Sequence, residues 1–252
     1  MKIIAVTQAR VGSTRLPGKV LKSINDISLL QIHLERIALA QKPDKIIVAT
    51  TNEAGVEAIC EVAAALGIDS YRGNTTDVLD RFYNAVKEER PDYVIRLTSD
   101  CPLIDPEIID KVVSAAVTKR LDYASNTMAT TFPDGMDVEV FTFHALEKAW
   151  TEAKLKSDRE HVTPYIWRNS TFKGGGIFLS DNVTHETDYG NIRLTVDEPA
   201  DLELVTQLIM QLGSKAGWKE YVAYLLLHPD LLNLNSNIIH NEGYIKSLLN
   251  DN

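Results

Sequence analysis

A cluster of cationic side chains and glycines lies between residues 8 and 19, in the stretch QARVGSTRLPGK. Glycine lets backbone N–H groups approach phosphate oxygens closely, while arginine and lysine add charged hydrogen-bond donors. The stretch therefore predicts a loop that grips a triphosphate. The candidate contacts are its cationic, hydroxyl and glycine positions: Arg10, Gly12, Ser13, Arg15, Gly18 and Lys19.

Two aspartates follow runs that are typical of buried strands. Asp100 ends the run YVIRLTSD, and Asp197 ends the run IRLTVD. Because Mg²⁺ favours carboxylate oxygens together with substrate phosphates, carboxylates beside a phosphate loop predict one magnesium site shared by Asp100 and Asp197. The alternative for each residue taken alone is helix capping, since aspartate is also a good N-cap.

The elements that position these residues alternate along the chain. Strands are predicted over residues 1–7, 45–50, 93–98 and 192–196, with amphipathic helices between them. Capping patterns predict that helices begin at Ser28, Asp105 and Ser157. This order is typical of an α/β fold with a doubly wound, mainly parallel sheet covered by helices on both faces. Ligands bind such sheets at the carboxyl ends of the strands.

The composition is that of an ordinary globular protein. The chain has 252 residues, 44% of them hydrophobic and 24% charged, so we expect one domain over residues 1–252. Turn-forming residues predict an excursion around 127–180 that covers a site or forms a dimer contact. The formal charge of -9 argues against a nucleic-acid partner, because phosphate-backbone binding usually needs a basic surface.

Targeting signals are not evident in the sequence. The first seven residues form too short an apolar run for a secretory leader, and no run approaches the roughly 20 apolar residues of a membrane span. We therefore expect a cytoplasmic protein without a membrane span.

The sequence resembles the cytidylyltransferases that make CMP-activated sugar acids, the CMP-Kdo and CMP-acylneuraminate synthetases. Its nearest subgroup is similar to the spore coat polysaccharide biosynthesis SpsF-type proteins. The resemblance is carried by the loop pattern AR-x-x-S-[TK]-R-LPGK, matched from Ala9 to Lys19, and by the blocks SDCPLI and VDEPADL. It implies CTP as a substrate, Ala9 among the nucleotide contacts, Mg²⁺ on Asp100 and Asp197, and a homodimer.

Catalytic roles follow from combining the loop with the resemblance. Arg10 would lie near the α-phosphate, while Arg15 and Lys19 would stabilise charge on the leaving pyrophosphate. Asp100 or a metal-bound hydroxide is a candidate base for the attacking hydroxyl, although a metal ligand is a poor free base.

The segment YRGNTTDVLDRF follows another predicted strand. In the comparable place the Kdo branch has nucleotide and substrate contacts with a different spacing, which implies nucleotide contacts for Arg72 and Asn74 only. Asp77 and Arg81 have i,i+4 spacing, and for them a salt bridge on the surface of a helix is an equally good interpretation.

Two later blocks, DGMDVEVF and SDREHVTPYIW, look like those of the SpsF-type proteins. Asp137 and Glu139 alternate with valines and would share one face of a strand, which makes both candidates for binding the acceptor substrate. His161 is a third candidate, although an isolated histidine on an amphipathic helix is more often structural.

Taken together, these features predict a cytidylyltransferase that transfers CMP from CTP to a sugar-acid hydroxyl and releases pyrophosphate, for surface polysaccharide or glycan biosynthesis. One alternative is a cytidylyltransferase for a phosphate- or phosphonate-bearing acceptor. A metal-dependent glycosyltransferase is another, although its usual DxD motif is absent from Asp100–Cys101–Pro102. A non-catalytic nucleotide-binding protein on the same fold is a third.

Overall fold

The computed structural model of the chain describes residues 1–249 and 251. Its strands are β1 (Ile3–Gln8), β2 (Ser23–Ile24), β3 (Ile27–Ser28), β4 (Lys45–Thr51), β5 (Asp69–Gly73), β6 (Tyr93–Thr98), β7 (Tyr123–Ser125), β8 (Glu139–Thr142) and β9 (Ser180–Asn182). Its α-helices are α1 (Leu29–Ile37), α2 (Glu57–Ala65), α3 (Val78–Val86), α4 (Pro106–Lys119), α5 (Phe143–Glu152), α6 (Lys156–His161), α7 (Pro164–Arg168), α8 (Pro199–Leu212), α9 (Trp218–Leu227), α10 (Pro229–Leu232) and α11 (Glu242–Leu249).

Seven strands form the central sheet, in the order β5-β4-β1-β6-β8-β7-β9. Pairing is parallel throughout except at β8, which runs antiparallel to β6 and β7. Gln8 at the end of β1 lies in register with Ala49 of β4 and Thr98 of β6. The polar segments that follow β1 and β6 therefore emerge side by side.

Side chains of β1 alternate between two hydrophobic layers, as expected for a strand covered on both faces. Ile3 and Ala5 pack with residues of α1, α4, α8 and α9. Ile4 and Val6 pack on the other face with residues of α3, α5 and α7. The predicted α/β architecture, with a mainly parallel sheet between two layers of helices, is confirmed.

Two of the three predicted helix starts are confirmed. The Ser28 side chain accepts a hydrogen bond from Gln31 N at the start of α1, and Asp105 caps α4 ahead of Pro106. The third prediction is wrong, because α6 begins at Lys156, one residue before Ser157. The backbone N–H and the hydroxyl of Ser157 instead donate to Asp251.

The prediction of a strand over residues 192–196 is also wrong. This segment makes a single isolated bridge, between Arg193 and Asp134. Strand β8 is paired on both edges by β6 and β7, so it has no free edge for this segment. Val196 N instead donates to Asp100 O at 2.7 Å, which brings the two predicted metal-binding segments together without a strand.

The predicted excursion around 127–180 divides into two parts. Strand β8 and helix α5 belong to the sheet and its covering layer, while α6 and α7 flank the carboxyl edge, where α6 contacts α3 and α11. Within the described residues, no helix combines the length and apolar character that crossing a membrane requires.

Candidate active site

A cleft of about 960 Å³ lies at the carboxyl edge of the sheet. Its walls come from the loop after β1, the ends of β6 and β8, helix α6 and the segment 239–244. Ten of the predicted site residues line it: Ala9, Arg10, Ser13, Arg15, Lys19, Asp100, Asp137, Glu139, His161 and Asp197. Most of the site predicted from separate motifs is therefore brought into one cavity.

Asp100 and Asp197 face the same cation although 97 positions separate them in the chain. Lys19 Nζ lies 3.1 Å from Asp100 Oδ2 and 2.7 Å from Asp197 Oδ1. Neither aspartate caps a helix, because the N-caps of α4 and α8 are Asp105 and Glu198. The helix-capping alternative is therefore wrong for both residues.

The charges of this group stabilise one another. Burial opposes ionisation of Asp100, but the Lys19 ammonium and a hydrogen bond from Thr98 outweigh it and hold the pKa of Asp100 below its usual range. Burial also opposes the charge on Lys19, yet Asp100 and Asp197 raise its pKa. Asp100 and Lys19 are therefore both charged at neutral pH.

The two carboxylates fit the demands of Mg²⁺. No group of three or more His, Cys, Asp or Glu side chains in the described part of the chain is arranged to hold a metal. Mg²⁺ commonly binds one or two carboxylates and takes its other ligands from phosphates and water. Asp100 and Asp197, which both contact Lys19, satisfy that requirement beside the loop that is predicted to bind phosphate.

Arg193 organises the second carboxylate and was not predicted from the sequence. Its guanidinium is buried and donates to Asp134, Asp197 and Asp201 at 2.7, 3.2 and 2.9 Å. Asp201 is fully buried and also accepts from the backbone N–H of Asp197. Its charge thus does more than favour the helix N-terminus, because it fixes both Arg193 and the turn that presents Asp197.

Two arginines that line the cleft form no ion pair with a carboxylate of the described residues. Arg10 is exposed to the cleft and forms no ion pair with any described residue. Arg81 is 2% exposed, its Nε has no hydrogen-bond partner among the described groups, and its Nη1 donates to Asn74 O. Burial and the nearby Arg10 lower the pKa of Arg81 to about 10. Arg81 therefore remains charged at pH 7, and both arginines are placed to meet an anionic ligand.

The surface salt bridge between Asp77 and Arg81 is not formed. Asp77 caps α3 by accepting from Asp80 N, and its second oxygen pairs with Arg159 at 2.7 Å. Arg81 is instead buried, and it lines the cleft. Arg81 is thus a site residue that the surface interpretation missed, and its position in the first turn of a strongly amphipathic helix was the available signal.

Four predicted phosphate or nucleotide contacts do not line the cleft: Gly12, Gly18, Arg72 and Asn74. Arg72 is exposed and pairs with Glu57 at 3.2 Å. The Asn74 side chain accepts from the backbone N–H groups of Thr76 and Asp77, so it shapes the turn before α3. Gly12 lies against the carboxylate of Glu53. None of these residues is placed where it would touch a ligand in the cleft.

The segment that leads into β8 contributes two carboxylates with different environments, Asp137 and Glu139. Glu139 is buried and accepts from Arg96 Nη1 and Tyr123 OH, both at 2.5 Å, so its oxygens are already engaged within the protein. Burial and the neighbouring carboxylates Asp134 and Glu139 raise the pKa of Asp137 to about 8. Asp137 therefore carries a proton at pH 7 and can donate a hydrogen bond into the cleft.

His161 lies at the end of α6, where its ring is held from two sides. Its Nε2 lies 2.9 Å from Ser247 Oγ, and the edge of its ring meets the Tyr244 ring. Burial and the nearby Arg96 lower the pKa of His161. The ring is thus neutral at pH 7, and the residues that hold it belong to the C-terminal segment.

A buried histidine links β1 to the turn that follows β6 and carries Asp100. His33 lies on α1, and its Nδ1–H donates to Cys101 O at 2.8 Å while its Nε2 accepts from the Thr7 hydroxyl at 2.8 Å. Because the histidine is fully buried, its pKa falls to about 4. The neutral ring is therefore the form that holds Asp100 at its place beside the phosphate loop.

This depressed pKa predicts a loss of stability in acid. In the unfolded chain His33 takes up a proton near its ordinary pKa of 6.5, whereas the folded protein resists protonation until pH 4. Between pH 7 and pH 5 the free energy of unfolding should fall by about 2 kcal/mol through this residue alone. Urea unfolding of His33→Gln should show a correspondingly smaller decrease over that range. Equal decreases in variant and wild type would contradict the role of His33.

The fold and site together define an α/β nucleotidyltransferase, with a cationic loop after the first strand and paired carboxylates beside it. The sequence pattern of the family described as cytidylyltransferase matches residues 4–224. The chain belongs to this family and is a CTP-dependent nucleotidyltransferase.

Individual relatives agree with this assignment. The chain is 31% identical over 235 residues to the spore coat polysaccharide biosynthesis protein SpsF of Bacillus subtilis, covering 90% of this chain and 95% of that protein. It is 28% identical over 242 residues to the 3-deoxy-manno-octulosonate cytidylyltransferase of Solibacter usitatus, covering 82% and 94%. A cytidylyltransferase structure from Leptospira borgpetersenii superposes with a TM-score of 0.87 at 33% identity, covering 95% and 100%. The family resemblance inferred from the motifs is confirmed.

Proposed function

We propose that this protein transfers CMP from CTP to the hydroxyl of a sugar acid, releasing pyrophosphate, in the synthesis of a surface polysaccharide or glycan. The observation that carries the proposal is the convergence of Arg10, Arg15 and Lys19 with Asp100 and Asp197 in one cleft. The acceptor class follows the printed names of the relatives, one acting in spore coat polysaccharide biosynthesis and another on 3-deoxy-manno-octulosonate.

Five residues of the cleft have a role in the proposed transfer. Arg10, which has no carboxylate partner, would bind the α-phosphate where the acceptor oxygen attacks. Arg15 and Lys19 would bind the β- and γ-phosphates and stabilise the negative charge of the leaving pyrophosphate. Asp100 and Asp197 would hold Mg²⁺, which supplies further neutralisation of the phosphates when bound. Positioning of the two substrates would provide much of the remaining rate.

A phosphate- or phosphonate-bearing acceptor is the second candidate. The far wall of the cleft contains three lysines, Lys154, Lys156 and Lys173, in addition to Arg159. No hydrogen bond or ion pair to a described residue engages the side chains of these three lysines. A dianionic acceptor would gain more from such a wall than a single carboxylate does.

Pyrophosphate release tests both candidates. The purified protein is incubated with Mg²⁺ and each of CTP, UTP, ATP and GTP, in the presence of sugar acids or of sugar phosphates and phosphonates. We expect release only with CTP and a sugar acid. Release with CTP and only the phosphorylated acceptors would favour the second candidate, whereas tighter binding of a purine triphosphate than of CTP would contradict the use of CTP.

A further inference from the structure

The C-terminal segment returns to the cleft and forms part of its wall. Residues 239–244 line the cleft, and α11 packs against α6. We call residues 239–249 together with Asp251 the C-terminal strap. The family pattern ends at residue 224, so the strap lies beyond the part of the chain that defines the family.

At one end of the strap, Glu242 pairs with Arg15, a cation that the proposed function assigns to phosphate binding. Glu242 Oε2 lies 3.4 Å from Arg15 Nη1, and Arg15 Nη2 lies 3.1 Å from Asp197 Oδ1. Lys246 holds the other oxygen of Glu242 at 2.6 Å. The strap thus brings a carboxylate to the guanidinium that is expected to bind the β- and γ-phosphates.

The other end of the strap is fastened to α6 by hydrogen bonds. Ser247 Oγ donates to Glu160 Oε2 at 2.7 Å and lies 2.9 Å from His161 Nε2. Asp251 accepts from the backbone N–H and the hydroxyl of Ser157, at 2.8 and 2.5 Å. All of these contacts are polar, so they hold the strap in a defined position without making it part of the core.

The apolar side chains of α11 contribute little to holding it. Ser247 is the only buried residue of this helix. Ile245 and Leu249 are 49% and 72% exposed. A helix with few buried apolar contacts and partly exposed ion pairs belongs to the least stable parts of a protein and opens locally at small cost.

We propose that the C-terminal strap is an acidic closure of the active-site cleft, in which Glu242 competes with the phosphates of CTP for Arg15. When the triphosphate binds Arg15, it displaces Glu242 and repels that carboxylate, so the strap loses its hold at this end. By linkage, the strap weakens CTP binding by the same factor as CTP weakens the closed strap. The strap therefore opens the acceptor side of the cleft when the nucleotide is in place.

Calorimetric titration of CTP with Mg²⁺ into the full chain tests the competition. Glu242→Gln should bind CTP about two- to fivefold more tightly than wild type, the effect expected for a partly exposed ion pair. Asp251→Ala releases the far end of the strap without removing charge from Arg15, and it should also tighten binding. The control is Glu186→Gln, which removes one exposed negative charge outside the cleft and should bind as wild type does.

Each outcome of the titration has a defined meaning. Unchanged binding in Glu242→Gln relative to the control would overturn the proposal, and so would weaker binding, which would show that the strap closes onto the nucleotide. Tighter binding in Glu242→Gln with no change in Asp251→Ala would show that only the charge of Glu242 affects CTP binding. That result would overturn the proposal that the strap as a whole closes the cleft. The inference rests on the proposed binding of CTP in this cleft, so a wild type that fails to bind CTP would overturn that function as well.

Hydrogen exchange provides a readout that does not depend on affinity. Backbone amides of α11 should exchange faster when CTP and Mg²⁺ are added to wild type, because the nucleotide releases the strap. Slower exchange in the presence of CTP would contradict displacement.

Discussion

Replacement of Asp197 by Asn should reduce CTP-dependent pyrophosphate release at least about 100-fold while the protein remains folded. Asn has the same shape but cannot supply the charge that Lys19, Arg15 and Arg193 surround at 2.7 to 3.2 Å. Asp100→Asn should have a comparable effect, because Asp100 Oδ2 and Asp197 Oδ1 both contact Lys19 Nζ. Raising the Mg²⁺ concentration should rescue each variant only in part, since one carboxylate ligand remains.

The measurement combines pyrophosphate release with CTP titrations at several Mg²⁺ concentrations. The matched control is Asp230→Asn, which changes an exposed aspartate of α10. Fully active Asn variants at both positions would contradict a shared metal site, because the proposal depends on the two charges and not on the shape of the side chains.

Lys19→Ala should weaken CTP binding by about 1.5–3 kcal/mol, the range for a lost charge-assisted hydrogen bond, which corresponds to roughly 10- to 150-fold. The structure adds a second expected result. Lys19 is the cation between Asp100 and Asp197, so its removal leaves two neighbouring carboxylates without their common partner. Added Mg²⁺ should therefore raise the melting temperature of Lys19→Ala by more than it raises that of wild type.

Two variants make this result specific. Lys19→Arg keeps the charge and should retain part of the affinity, whereas Lys22→Ala removes a lysine three positions later that does not line the cleft and should bind CTP normally. Wild-type affinity in a folded Lys19→Ala variant would exclude Lys19 from the phosphate site.

Much of the site is readable from the sequence because its parts are local. The loop from Ala9 to Lys19 follows a strand directly, and Asp100 follows another, so strand ends alone predict where these side chains emerge. The parallel pairing of β1 with β6 then brings the two segments together. Asp197 was correctly placed at the same edge although its segment is not a strand, because the hydrogen bond from Val196 N to Asp100 O replaces sheet pairing.

Other roles depend on contacts between residues far apart in the chain, which no local pattern records. Arg193 bonds to Asp134, 59 positions away, and Ser157 bonds to Asp251 across 94 positions, so neither the support of Asp197 nor the shifted start of α6 was evident beforehand. Burial was equally hidden. It turned Arg81 from a predicted surface residue into a cleft residue, because the amphipathic pattern of α3 shows which face is buried but not what lies against it.

The sequence by itself determined most of the sheet, the cationic loop after β1 and the two aspartates of the cleft, since each follows from strand periodicity or from a short motif. Only the tertiary structure decided which charges neutralise one another. Lys19 lies between the two aspartates, and Glu242 of α11 lies at Arg15 across 227 positions of the chain. Electrostatic pairing depends on distance in space, and a polar C-terminal helix carries no signal of the surface on which it will pack.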